Sequence, residues 1–172
     1  MNSELPDSSL EWFALRVRPR TERVVADALR GKGYEEFLPL HAERRRWSDR
    51  VKTVQAPLFA GYVFCRFDVQ LRLSILTTPG VMHVVSTGQV PQPIADREMT
   101  SLRLLVDSGL AVEPWPYQFV GKRITIISGP LTGTSGILQS IKNKDRIVVS
   151  LSLLQRSVAV EIPESCAWPE SA

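Results

Sequence analysis

Pro57-Leu58-Phe59-Ala60-Gly61-Tyr62-Val63-Phe64-Cys65-Arg66-Phe67 is a nearly continuous apolar run of strand length, rich in aromatics. Such a run predicts a central strand buried on both faces. Upstream, Trp12-Phe13-Ala14-Leu15-Arg16-Val17-Arg18 predicts a strand with one wet edge, closed by Pro19. Thr21–Arg30 follows, with Val24, Val25, Ala28 and Leu29 at helical spacing before Gly31 and Gly33, which predicts a helix with a glycine stop. Phe37–Trp47, a polar Ser48-Asp49-Arg50 turn and Val51–Ala56 read as a long hairpin whose tip carries dense positive charge. After the central strand come a short helix through Gln70–Leu76, a Thr78-Pro79-Gly80 turn, a strand over Val81–Val85 and a Pro-rich bend over Gln89–Pro93. Asp96 reads as the N-cap of a helix with Met99, Leu102, Leu105 and Val106 on one stripe, ended by Gly109. The sum is an α+β domain, helices covering a mainly antiparallel sheet.

Leu110–Gln118 holds Pro114 and Pro116 and shows no period, so it reads as a linker. Beyond it only short strands are predicted: Lys122–Ser128, Gly136–Ile141, a turn at Asn143-Lys144-Asp145, then strict alternation. Ile147, Val149, Leu151 and Leu153 alternate with Val148, Ser150 and Ser152, and Val158, Val160 and Ile162 alternate with Ala159 and Glu161. Strands with Gly-rich turns suggest a small all-β barrel, and β-branched residues with a period of two argue against a helical tail.

The chain of 172 residues has room for two small cores, and 44% apolar with 23% charged residues is a soluble globular composition. Met1–Ser9 and Cys166–Ala172, without periodicity, are expected to fray. No stretch approaches a membrane span and the N-terminus lacks signal-peptide character, so a cytoplasmic location is expected and no membrane partner. Cys65 and Cys166 have no metal-type spacing, and neither His41 nor His83 has a second ligand nearby, so no metal, cofactor or disulfide is expected. The net charge of +3 is unevenly spread: Arg16–Lys52 has eleven basic and six acidic residues, and Gly121–Val160 six basic with only Asp145 acidic. Arg66–Trp115, between them, has four basic and five acidic. Two basic blocks are expected if two surfaces face a polyanion, although ordinary solvated faces are the alternative.

Trp12-Phe13-Ala14-Leu15, Glu22-Arg23-Val24-Val25-Ala26, Pro57–Phe64 and Pro79-Gly80-Val81 occur in the order found in the N-terminal domain of NusG-type transcription factors. Val120-Gly121-Lys122-Arg123-Ile124 with Gly129–Gly136 resembles a KOW motif, and Leu153–Glu161 resembles the segment that closes a NusG KOW barrel. The resemblance covers about residues 11–164. It implies a NusG N-terminal-like domain at 11–109, a linker at 110–119 and a KOW domain at 120–164, in a non-enzymatic factor that binds RNA polymerase and suppresses pausing or termination. A KOW-type RNA-binding protein of ribosome assembly or translation is the alternative. No Ser, His and Asp set, paired carboxylates or P-loop suggests an enzyme. Gly129, Gly133 and Gly136 are expected to make tight turns with positive φ.

The Arg-rich hairpin, Leu153-Leu154-Gln155-Arg156-Ser157 and Glu113-Pro114-Trp115-Pro116 look most like UpxY-type antiterminators, and two departures point to a specialised paralogue. The family's Phe-Gly-Arg is Leu154-Gln155-Arg156 here, and the aromatic after Gly-Pro is Leu131. In housekeeping members these aromatics engage Rho or a ribosomal protein, so the partner reached through Leu131, Leu154 and Arg156 is left open between these and others. Some relatives refold the KOW domain as helices; the alternation here predicts a stable barrel.

Three groups of residues carry the expected contacts. Trp12, Phe59 and Tyr62 can bury a helical partner, which the resemblance makes the clamp helices of the largest polymerase subunits; core packing is the alternative, and Phe59, at a bend, is the favoured anchor. Thr77 and Thr78 lie where antiterminating relatives approach the opposite pincer, or simply form a turn. Arg18, Arg20 and Arg23 can follow a phosphate backbone or stack on bases, facing non-template DNA by resemblance. Arg44, Arg45, Arg46, Arg50 and Lys52 can contact upstream duplex DNA through phosphates, or be a solvated loop.

Overall fold

The structure, a computed structural model, describes residues 10–169. In chain order it contains β1 (Leu10–Val17), α1 (Glu22–Gly31), β2 (Glu35–Phe37), β3 (Leu40–Arg46), β4 (Val51–Pro57), β5 (Tyr62–Asp68), α2 (Leu73–Leu76) and β6 (Val81–Val84). There follow β7 (Ser86–Thr87), β8 (Val90–Pro91), α3 (Asp96–Asp107), β9 (Val112–Trp115), β10 (Arg123–Thr125), β11 (Ser135–Ile141), β12 (Lys144–Leu151) and β13 (Arg156–Glu161). Contacts group the chain into two compact units: one runs to Leu38 and resumes over Phe59–Ala95, the other takes in Pro39–Leu58 and the chain from Asp96.

The first unit is built on an antiparallel sheet of order β2-β5-β1-β6. Of the apolar run Pro57–Phe67, only the part from Tyr62 lies in the inner strand β5, where Val63, Phe64, Cys65 and Phe67 are all buried; Pro57 ends β4 and Leu58–Gly61 form a turn, bent at the positive φ of Gly61. Phe13 faces Cys65 and Leu15 faces Val63 across the ladder. One face of β1 and β5 buries Phe13, Leu15, Val17, Val63, Cys65 and Phe67 against Val25 and Leu29 of α1, with the Phe13 and Phe67 rings 4.7 Å apart. The alternate residues Trp12, Ala14 and Phe64 are buried too, and Phe59 meets Phe64 edge-on at 5.4 Å.

Helix α1 buries Glu22, Val25, Ala26 and Leu29, the set that 100° per residue places on one face. Val24, assigned to the buried stripe from spacing, is 65% exposed because it lies one residue off that face. Glu22 is a buried acid whose Oε1 accepts the Gly61 N–H at 3.0 Å, which satisfies a carboxylate that burial alone would penalise. Gly61 is required here: its φ is +85, and a Cβ would come within 2.3 Å of the Arg16 guanidinium.

In the second unit β3 and β4 form the expected hairpin, paired from Leu40↔Pro57 to Arg46↔Val51. The chain from β9 onward forms one antiparallel sheet of order β10-β11-β12-β13-β9. Its pairings among the described residues do not include β10 with β9. Ile147, Val149, Leu151, Val158 and Val160 are buried as the alternation requires. Val148, placed on the outer face by that alternation, is also buried: with Ile137 and Ala159 it forms a small cluster under Trp115. Trp115 reaches it because residues 112–115, inside the stretch read as linker, pair with β13 as β9. Pro114 is tolerated there because β9 is an edge strand.

The β11–β12 hairpin turns at Lys142-Asn143, with φ of 52 and 62, a two-residue connection one position earlier than expected. Gly129 and Gly133 have positive φ, but Gly136 does not. A Cβ on Gly136 would lie 2.5 Å from the Val148 carbonyl oxygen, so close strand approach, not turn geometry, demands glycine. Helix α3 belongs with this unit by contact: Ser101 Oγ accepts the Ser135 N–H at 3.1 Å, and Glu98 Oε1 accepts the Ser152 hydroxyl at 2.6 Å. Cys166 is buried and Ala167 bridges to Ser128, so this part of the tail is tied down and does not fray. The fraying expected for Met1–Ser9 and 170–172 lies outside the described residues. No helix among the described residues is long and apolar enough to cross a membrane.

Three stability outcomes follow from this packing. Phe59→Ala empties a buried aromatic position and should cost about 3–5 kcal/mol in urea unfolding; a loss below about 1 kcal/mol would mean the ring is not core. Gly136→Ala should cost at least about 1–3 kcal/mol, since the methyl has nowhere to go; an unchanged midpoint would contradict the close approach. Burial, with smaller contributions from Glu36 and Glu35, pushes the Cys65 thiol up to about 12 from an ordinary 9.0. Its share of stability is then complete below pH 9.0 and lost as pH rises toward about 12. Native Cys65 should resist a thiol reagent at neutral pH and react on unfolding, whereas rapid native labelling would contradict its burial.

Candidate nucleic-acid interface

The arginines between β1 and α1 are positioned by a tight backbone turn. After a register shift at Arg16/Val17, Arg18 donates its N–H to Gly80 at 2.9 Å. Its carbonyl accepts the Thr21 hydroxyl at 2.6 Å and the Thr21 N–H at 3.2 Å. Arg20, between them, is held at φ 66. A left-handed conformation is unfavourable for a non-glycine residue and persists where surrounding hydrogen bonds impose it, often at functional positions. Arg18, Arg20 and Arg23 are all exposed, and they surround the N-terminal end of α1, whose dipole also favours anions. Arg16, two residues before this group, is not part of it: its guanidinium sits 5.0 Å over the Tyr62 ring and against Gly61.

The hairpin makes a second basic surface. Arg44, Arg45, Arg46, Arg50 and Lys52 are exposed. Arg45 and Lys52 are direct cross-strand partners, a like-charge pair that destabilises a bare ladder and that an anion would relieve. Glu43 lies 3.6 Å from Arg45 in an exposed pair of little energetic weight. Trp47, 56% exposed at the tip, was legible from the sequence only as a strand end.

The expected polymerase-binding set is not presented as one surface. Trp12 and Phe59 are 6% and 1% exposed; Phe59, favoured as an anchor because it sits at a bend, is instead turned inward against Phe64. Tyr62 is half-buried beside Arg16. Thr77 is exposed and caps its own turn by donating to Leu73 O at 3.0 Å. Thr78 is buried, receiving Lys32 Nζ at 2.9 Å and donating to Ser74 O at 3.0 Å, so its side chain serves the turn.

Of the KOW positions, Leu131 is wholly buried, drawn in by a turn in which Thr134 N–H returns to its carbonyl and Gly133 N–H to Ile126. Leu154 is half-buried and Arg156 exposed, either side of Gln155 at φ 49. Sequence reading missed Glu22, whose lone acidic position on an apolar helical face was the available signal. Among the described residues no group of His, Cys, Asp or Glu could hold a metal ion.

The family model described as "Transcription termination factor nusG" matches residues 10–103. NusG of Thermotoga maritima, in a structure described as "Domain interaction in Thermotoga maritima NusG", superposes with a TM-score of 0.54 at 23% identity over 92% of this chain and 96% of that one. A chain of the MjSpt4:Spt5 complex in conformation B aligns at 17% identity over 93% of this chain and 97% of that one, with a TM-score of only 0.31. The first shows a shared fold, and the family match spans over half of the sequence, including the turn that carries Arg18, Arg20 and Arg23: the chain belongs to the NusG family of transcription factors.

Proposed function

We propose that this protein is a transcription elongation and antitermination factor that binds RNA polymerase at the clamp helices and suppresses pausing or termination. The observation that carries the reading is the basic turn between β1 and α1, where hydrogen bonding from Gly80 and Thr21 presents Arg18, Arg20 and Arg23 together within the family-matched region. Those guanidinium groups meet the non-template strand, and the hairpin arginines with Lys52 meet upstream duplex through phosphates. Tyr62 and Thr77 contact polymerase, with Trp12, Phe59 and Thr78 supporting that surface from within. The protein makes and breaks no bond; it acts by holding partners together.

The domain division we propose remains 11–109, a connection at 110–119 and a KOW domain at 120–164, the last recruiting a further partner. The Arg-rich hairpin and Glu113-Pro114-Trp115-Pro116, with the departures at Leu131 and Leu154-Gln155-Arg156, support an UpxY-type specialisation. They also support a partner other than Rho or the ribosomal protein bound by housekeeping members.

The test is binding to a single-strand bubble scaffold with core polymerase present. Arg18→Glu with Arg20→Glu should weaken binding about tenfold or more at low salt and reduce the logarithmic salt slope by about 1.5 to 2. Unchanged affinity and slope would remove the DNA role from this turn.

A further inference from the structure

The outer half of the β3–β4 hairpin stands in solvent on both faces, since residues 44–53 are all exposed. This stretch holds five cations and one acid, Asp49. Cross-strand partners share a face of a ladder. Arg44 with Thr53 and Arg46 with Val51 therefore occupy one face, and Arg45 with Lys52 the other. A two-stranded ribbon charged on both faces can reach phosphates of both DNA strands from the major groove, which is wide enough to admit it.

At the end of this ribbon stands an indole. Trp47 is 56% exposed and Val51, one pair below the tip, 52%. Trp47 donates its N–H to the Arg50 carbonyl at 2.7 Å, which closes the tip and fixes where the ring leaves the backbone. Among the described residues no other ring and no cation stacks on it. An indole in solvent contributes no burial to the fold. Its cationic surroundings do not match the centre of a protein interface, where charged residues are depleted. A flat aromatic flanked by arginines matches a polyanion that offers π faces of its own.

Energy decides where on DNA such a ring can stack. Entering between two paired steps of a continuous duplex first costs the unstacking of that step, which is comparable to what the new stack returns. A base pair that borders unpaired strand already has an open face, and stacking there requires no unstacking. We propose that Trp47 is a base-stacking residue through which the hairpin selects junctions between duplex and single-stranded DNA over continuous duplex. The arginines and Lys52 hold the duplex side by its phosphates, and the indole covers the open face of the last base pair. This rests on the reading that the hairpin meets duplex DNA and adds to it a contact with a base.

The experiment is fluorescence anisotropy of the full chain on two labelled DNAs. One is a duplex closed at both ends by flexible linkers, so that no base pair is terminal, and the other is the same duplex with a central unpaired bubble. A 2-aminopurine in the last base pair before the bubble reports stacking directly. Trp47→Ala, at an exposed position, should weaken bubble binding about five- to a hundredfold, leave closed-duplex binding within about twofold and abolish the 2-aminopurine change, with an unchanged far-ultraviolet circular dichroism spectrum. The arginine turn contributes equally to parent and variant, so their ratio isolates the ring. Trp47→Phe, which keeps an aromatic face, should keep the preference for the bubble. Arg44→Glu with Arg46→Glu should weaken both DNAs. If that reversal leaves both bound as before, the hairpin does not meet duplex DNA, and the proposal fails together with the reading beneath it. If the reversal weakens both, the stacking proposal alone is overturned when Trp47→Ala binds the bubble within about twofold of the parent, weakens the closed duplex equally, or retains the 2-aminopurine change. A Trp47→Ala defect confined to polymerase binding would make the residue a protein anchor and overturn the proposal too.

Discussion

The antiparallel pairing of β1 with β5 is the constraint on which the first unit depends. Both strands are inner strands of their sheet, and both bury side chains on their two faces. A strand with no solvated face cannot slip register, because a one-residue shift would exchange every packed side chain for one shaped for the opposite face. The register Phe13↔Cys65 and Leu15↔Val63 therefore fixes where β1 ends. That ending sets the position of Val17, whose N–H bonds to Gly61, and of Arg18, whose N–H bonds to Gly80. The exposed arginines are thus placed by a buried hydrophobic ladder, and the buried Glu22 ties α1 to the same Gly61.

What was legible in the sequence was what is local. The run from Pro57 to Phe67, the Arg-rich hairpin and the alternation along β12 and β13 all carry their own signal, and each contains the strand it suggested, although β5 begins only at Tyr62 and β12 ends at Leu151. What was hidden depends on distant neighbours. Phe59 sits at a bend, where an aromatic is often exposed, yet Phe64 takes its ring inward. Leu131 looks like an exposed loop residue until the turn around it closes on Ile126. Gly136 resembles a turn glycine, and only the position of the Val148 carbonyl reveals that it is a contact glycine.

The same division holds for the candidate sites. Charge is visible in composition, so both basic clusters could be named from sequence, and their members are exposed. The left-handed Arg20 and the cross-strand pairing of Arg45 with Lys52 could not be named, because each is a property of backbone geometry. Two proline residues and the lack of a period make the segment around Trp115 read as a linker. Its pairing with β13 instead supplies an edge strand and a lid over Val148.

Buried packing and backbone hydrogen bonds thus hold two basic surfaces in fixed places, which the proposed role at RNA polymerase requires. The most direct measurement is the binding of the full chain to core RNA polymerase, by co-purification and by competition with a fragment containing the clamp helices. The account predicts a stoichiometric complex that the fragment displaces. Failure to associate with core polymerase, or a complex indifferent to the clamp-helix fragment, would contradict it.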